Sequence, residues 1–125
     1  MTFLAKPSVA VGFGAFMLCV ETCDHWSEIA SLNWVTIPWH DWTAAILLMT
    51  VGVVHRQDFQ AMAWAFMLSL LFGALFGHLE LWLGPPEPDV WIPERIVFPI
   101  LVALNVIALL GLVSTLKLRA KTRPD

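Results

Sequence analysis

Apolar positions in this chain come in long runs, not in alternation. Runs over residues 9–20, 44–54, 59–83 and 96–118 are separated by short stretches where acids, histidines, tryptophans and prolines collect. A helix rises ~1.5 Å per residue and a bilayer's hydrocarbon core is ~30 Å thick, so about 20 apolar residues make a span. The pattern therefore predicts an all-α integral membrane protein, a four-transmembrane-helix bundle forming a single transmembrane domain, with helices over approximately 8–28, 41–56, 59–83 and 95–118. The first two are short for a crossing. Asp41, just before Trp42, is expected to cap the second helix. Gly84-Pro85-Pro86-Glu87-Pro88 is expected to stop the third and form a stiff loop to about Pro93.

Between the first and second helices lie Trp26, Trp34, Trp39 and Trp42, with Pro38 interrupting any helix. Indole rings favour the headgroup level, where an apolar body and a polar N–H are both accommodated. This segment is therefore read as lying flat on the membrane surface.

Composition agrees with a bilayer as solvent. At 58% hydrophobic and 14% charged, 125 residues carry more apolar surface than one small soluble core could bury. The formal charge of −3 and the lack of a basic run interleaved with aromatics leave nucleic-acid binding without support. Lys6 ahead of an apolar run resembles a signal peptide, but no small-residue cleavage site follows, and the segment is read as a retained anchor. Cys19 and Cys23, four apart on one helix, do not favour a disulfide and report no redox compartment.

The cations set the expected orientation. With four spans, one side receives Lys6, Arg56, Lys117, Arg119, Lys121 and Arg123, and the other only Arg95. The positive-inside rule makes the first side cytoplasmic, so both termini are expected in the cytoplasm of a bacterial inner (plasma) membrane. The outer side then holds Glu21, Asp24, Glu28, Asp41, Glu80, Glu87, Asp89 and Glu94 with His25, His40 and His78, a face that attracts cations.

Three segments bring histidine and carboxylate to that outer level: Glu21, Asp24 and His25; His40 and Asp41; His78 and Glu80. Imidazole with carboxylate suits Zn, Cu, Fe or Mn. On a continuous helix Glu21, Asp24, His25 and Glu28 share one face, within roughly 100°. His78 and Glu80 are roughly 200° apart, so one of them faces inward. Glu80, within ~20° of Gly73, is the one expected to do so. The first candidates are His25, His40 and Glu21, followed by Asp24, Asp41, His78 and Glu80. The competing reading is a solvated ring of interface residues. A haem would need two histidines facing one another, and nothing else in the sequence calls for one. Met17, Met49, Met62 and Met67 read as packing residues; copper conduction would want them near His25, and Met17 alone lies on the Glu21 stripe.

Ser69, Gly73 and Gly77, spaced i, i+4, i+8, form a small-residue face that lets another helix approach closely, and Asn105 is expected to make an interhelical hydrogen bond. This size and this face point to a homo-oligomer or a larger membrane complex. With a glutamate in helix one and Trp64 in helix three, the chain resembles the small multidrug resistance exporters in layout. That resemblance implies proton exchange for a cationic drug at the acid. Here, however, Glu21 lies at the outer end of its helix beside Asp24 and His25, and the Trp-rich linker is longer than that compact pattern.

Three functions of different class follow. One is a small membrane protein binding a divalent transition metal at the outer acid/histidine cluster, as a metal-handling or transport component or a subunit of a membrane oxidoreductase. The second is an accessory subunit with no chemistry of its own. The third is a proton-coupled transporter using Glu21. Catalysis by the chain alone has the least support, since no nucleophile triad or phosphate-cradling loop is present.

Overall fold

The computed structural model describes residues 2–85 and 94–123. A 3-10 turn, Thr2–Ala5, precedes α1 (Pro7–Asp24), α2 (Trp26–Ala30), α3 (Trp39–Thr50), α4 (Gln57–Leu83) and α5 (Glu94–Thr122), with no strand among the described residues. Three helices, α1, α4 and α5, are long and apolar enough to cross a membrane. α3 has 12 residues, or about 18 Å, which is shorter than a hydrocarbon core of ~30 Å.

The first two helices differ from the sequence expectation for local reasons, while α4 begins two residues earlier and α5 ends four residues later than expected. The first helix ends at Asp24 instead of running to 28, and His25 adopts φ −104°, ψ 24° before α2 begins. Asp24, His25 and Ser27 are weak helix formers that bond to nearby backbone. α2 then closes in a Schellman turn: Leu32 sits at φ 55°, its N–H donates to Ile29 O at 3.1 Å, and Asn33 N–H donates to Glu28 O at 2.9 Å. The second helix begins at Trp39 behind Pro38 and stops at Thr50, where Thr50, Val51, Val53 and Val54 with Gly52 lower helix propensity. Asp41 is thus inside the first turn and caps nothing; its carboxylate is available to the site described below. The proline-rich loop expected after Gly84 falls outside the described residues from Pro86 to Pro93, as do Glu87 and Asp89.

Two close helix pairs make the core. α1 lies on α3 through Ala10, Gly14 and Met17 against Ala44, Ala45 and Leu48. α4 lies on α5 through Ala63, Trp64, Met67 and Leu71 against Ala108 and Gly111. The Phe13 and Trp64 rings, 5.3 Å apart and tilted by 52°, join the pairs. Small residues carry both contacts because lipid supplies no hydrophobic drive for helix association, and close van der Waals approach takes its place. Ser69, Gly73 and Gly77 are exposed in the single chain, and among the described residues nothing lies within 4 Å of a Cβ placed at either glycine.

Polar groups fasten the two ends. At one end Gln60 Nε2 donates to Ala5 O at 2.8 Å and to Thr115 Oγ1 at 3.2 Å, while Arg119 pairs with Asp58. Towards the other end, buried Asn105 donates through Nδ2 to Leu71 O at 3.1 Å, across α4 and α5, and to Leu101 O at 2.8 Å. Its Oδ1 has no partner among the described residues, so the net gain from this side chain is modest. Asn105→Leu is expected to cost about 0.6–2 kcal/mol, read as a small drop in thermal midpoint in mild detergent. A larger loss would show that Asn105 does more than join the two helices.

Candidate functional site

At the end of the molecule opposite Gln60, a partly open cavity of about 250 Å³ lies between the helices. α1 contributes Glu21, Asp24 and His25 from its last turn and cap, α3 contributes Asp41 from its first turn, and α4 contributes His78. Met17, Met67, Leu70, Leu71, Ala74 and Leu101 complete the lining. No lysine or arginine among the described residues lines it. Three carboxylates and two imidazoles thus line one cavity with no lysine or arginine of the described residues, a set of donors that suits a metal cation.

Glu21, Asp24 and His25 each offer a ligand atom within 4.8 Å of the others. Glu21 is the deeper acid, with 20% of its side chain exposed, and Asp24 sits at the rim with 74% exposed. His25 Nδ1 stands 3.6 Å from Glu21 Oε2 and 3.8 Å from Asp24 Oδ2, too far for direct hydrogen bonds and suited to a bridging ion or water. The same Nδ1 is 3.2 Å from Glu21 O. That nitrogen donates to the carbonyl when it carries the proton and faces the two carboxylates as a ligand atom when it does not. Glu21 from α1 and Asp41 from α3 line the same cavity.

The tryptophans brace this end. Trp42 Nε1 donates to Thr22 Oγ1 at 3.1 Å, tying the start of α3 to α1 beside Glu21 and Asp41. Trp39 stacks on Trp34, centroids 5.7 Å apart and 3° between planes, and meets Trp42 edge-on at 5.8 Å. Trp39 Nε1 donates to Trp34 O at 2.8 Å. Trp26 stands apart from this stack and is 62% exposed.

Several sequence candidates fall elsewhere. His40, among the first choices, is exposed and outside the cavity, because α3 begins two residues early and turns Asp41 inward. Glu80 is exposed and His78 lines the cavity, the reverse of the expected orientation. Glu28 leaves the polar stripe where α1 breaks; its carboxylate accepts from Ser27 Oγ at 2.9 Å, which holds it below the usual carboxylate range. Cys19 and Cys23 are free and exposed. Met67 was missed as a cavity residue, although a signal existed: Met67, Leu71, Ala74 and His78 repeat at 4, 3 and 4, one face of a helix.

Compared with known proteins, the chain matches no family model, no curated protein and no solved structure.

Proposed function

We propose that this chain is a small integral membrane protein that holds a divalent transition metal in the outer acid/histidine cleft, as a metal-handling or transport component. In this reading α3 joins the three membrane-length helices as a short fourth member of the bundle. The cleft faces outward and both termini face the cytoplasm. The cation distribution supports that orientation, since Lys6, Arg56, Lys117, Arg119, Lys121 and Arg123 lie at the end opposite the cleft.

The observation that carries the reading is the grouping of Glu21, Asp24 and His25, with ligand atoms within 4.8 Å, on a cavity that Asp41 and His78 reach from two other helices. Imidazole and carboxylate are the donors that Zn, Mn, Fe and Cu(II) accept. Elemental analysis of protein purified in mild detergent without chelators tests it. Wild type is expected to carry near-stoichiometric metal, and Glu21→Gln/His25→Ala to lose it while keeping its helical circular dichroism. Metal-free wild type that also takes up none on dialysis would end the reading.

A second reading is favoured by the open face of α4. Ser69, Gly73 and Gly77 are exposed with free space around both glycines, beside exposed Phe66, Phe72 and Phe76. A helix of a second copy or of a larger complex fits such a face, making the chain an accessory subunit. Gly73→Leu would then release it from its assembly with the metal content unchanged.

A further inference from the structure

The two walls of the cleft are braced unequally. α1 and α3 stay fastened up to the site, because Trp42 Nε1 donates to Thr22 Oγ1 and these residues adjoin Asp41 and Glu21 in sequence. α4 loses its support earlier. Its last buried residue is Leu71, whose carbonyl accepts from Asn105 Nδ2 at 3.1 Å, and none of residues 72–83 is buried. α5 matches it, since none of residues 95–104 is buried and Asn105 is.

Beyond this pin the Trp82 and Phe98 rings, 5.3 Å apart, tie the outer parts of α4 and α5 into one arm. The arm is also weak in its backbone. Gly73 and Gly77 are poor helix formers, and Pro99, inside α5, removes the hydrogen bond that the Arg95 carbonyl would accept. Helices bend at such residues.

His78 rides on this arm. Glu21, Asp24 and His25 of the braced wall lie with ligand atoms within 4.8 Å of one another, whereas His78 lines the cavity but stands outside that group. His78 is seven residues beyond Leu71, so a bend of about 20° there, over a lever of roughly 10 Å, carries it about 3–4 Å.

We propose that the outer arm of α4 and α5 closes on an ion held by Glu21, Asp24 and His25 and brings His78 in as a fourth protein ligand. This rests on the metal reading of the cleft and adds how the ion is taken and kept. Three protein ligands leave a position for water or an exchanging ligand, so the open cleft admits and releases the ion. Four complete the tetrahedron that Zn(II) favours, and the closed cleft holds it.

The test is pulsed electron paramagnetic resonance distance measurement on the full chain in detergent, with Cys19→Ser/Cys23→Ser as background and spin labels at exposed positions. Ile46→Cys on α3 is paired with Leu81→Cys on the arm and, as control, with Met62→Cys on the supported part of α4. Zn(II), which is diamagnetic, is the probe, and an indicator titration of the same labelled protein records binding. It is expected to shorten the distance between positions 46 and 81 by about 3 Å and to leave that between 46 and 62 unchanged. In His78→Ala at saturating Zn(II) the shortening should vanish. The two distances in the chain with native His78 do not depend on that variant folding. Zn(II) bound without shortening between 46 and 81, or with an equal change in both pairs, would overturn the closing arm and leave the metal reading standing. Shortening that persists in His78→Ala would overturn His78 as the ligand that draws the arm in. A protein that binds no Zn(II) would remove both the closing arm and the metal reading.

Discussion

Gly14→Ala is expected to destabilise the protein by about 1–3 kcal/mol, read as a clear fall in thermal midpoint in mild detergent. A Cβ at position 14 would sit 2.6 Å from Ala45 O, 2.9 Å from Leu48 Cβ and 3.1 Å from Met49 Cγ. The first of these is backbone and cannot rotate aside, so α1 and α3 must part to admit one methyl group. Gly111→Ala should act similarly on the other helix pair, since its Cβ would meet the Trp64 ring at 2.6–2.8 Å and that ring is fully buried. Parting α1 from α3 also separates Glu21 from Asp41, so Gly14→Ala should weaken metal binding without touching a ligand. Gly73→Leu and Gly77→Leu are the controls. Both enlarge a residue far more, yet each has open space around it and should leave the midpoint of the isolated chain unchanged. A Gly14→Ala protein as stable as wild type would mean that α1 and α3 do not pack as described.

The second large effect separates two histidines at the same level of the chain. His78→Ala is expected to weaken Zn(II) or Co(II) binding by roughly 10–100-fold, while His40→Ala leaves it unchanged. His78 lines the cavity with Glu21, Asp24, His25 and Asp41, whereas His40 is exposed on the turn beside them. Glu80→Gln should be as silent as His40→Ala, because Glu80 is exposed on the far side of α4 from Met67. Competitive titration against a metal indicator measures all three. Equal losses from His40→Ala and His78→Ala would show that metal binds the acidic surface as a whole and not the cleft.

The contrast between His78 and Glu80 shows where sequence reading fails in a membrane helix. Periodicity states that Met67 and His78 share one face and that Gly73 and Glu80 share another. It does not state which face a neighbouring helix covers. In water the covered face is the apolar one, but α4 is apolar almost all round, and lipid is as good a neighbour for leucine as protein is. Choosing the glycine face as the inner one placed Glu80 inward. The close contacts are instead made by Ala10 with Gly14 and by Gly111 with Trp64, and those small residues also stood in the sequence, at i, i+4 spacing in the first pair.

The sequence by itself determined the all-helical class and three of its four expected spans as membrane-length helices, the second being a 12-residue helix instead, and it collected acids and histidines towards one end of the helices with cations towards the other. Run length, hydropathy and charge are properties of residues in order, and they survive without knowledge of packing. Only the tertiary structure decided that α3 starts at Trp39 and sends Asp41 to the site, that α4 turns Met67 and His78 inward, and that Gly14 and Gly111 carry the tight helix contacts. Those choices depend on how one helix rotates against another. That rotation is set by steric fit between particular side chains, which no single helix encodes alone.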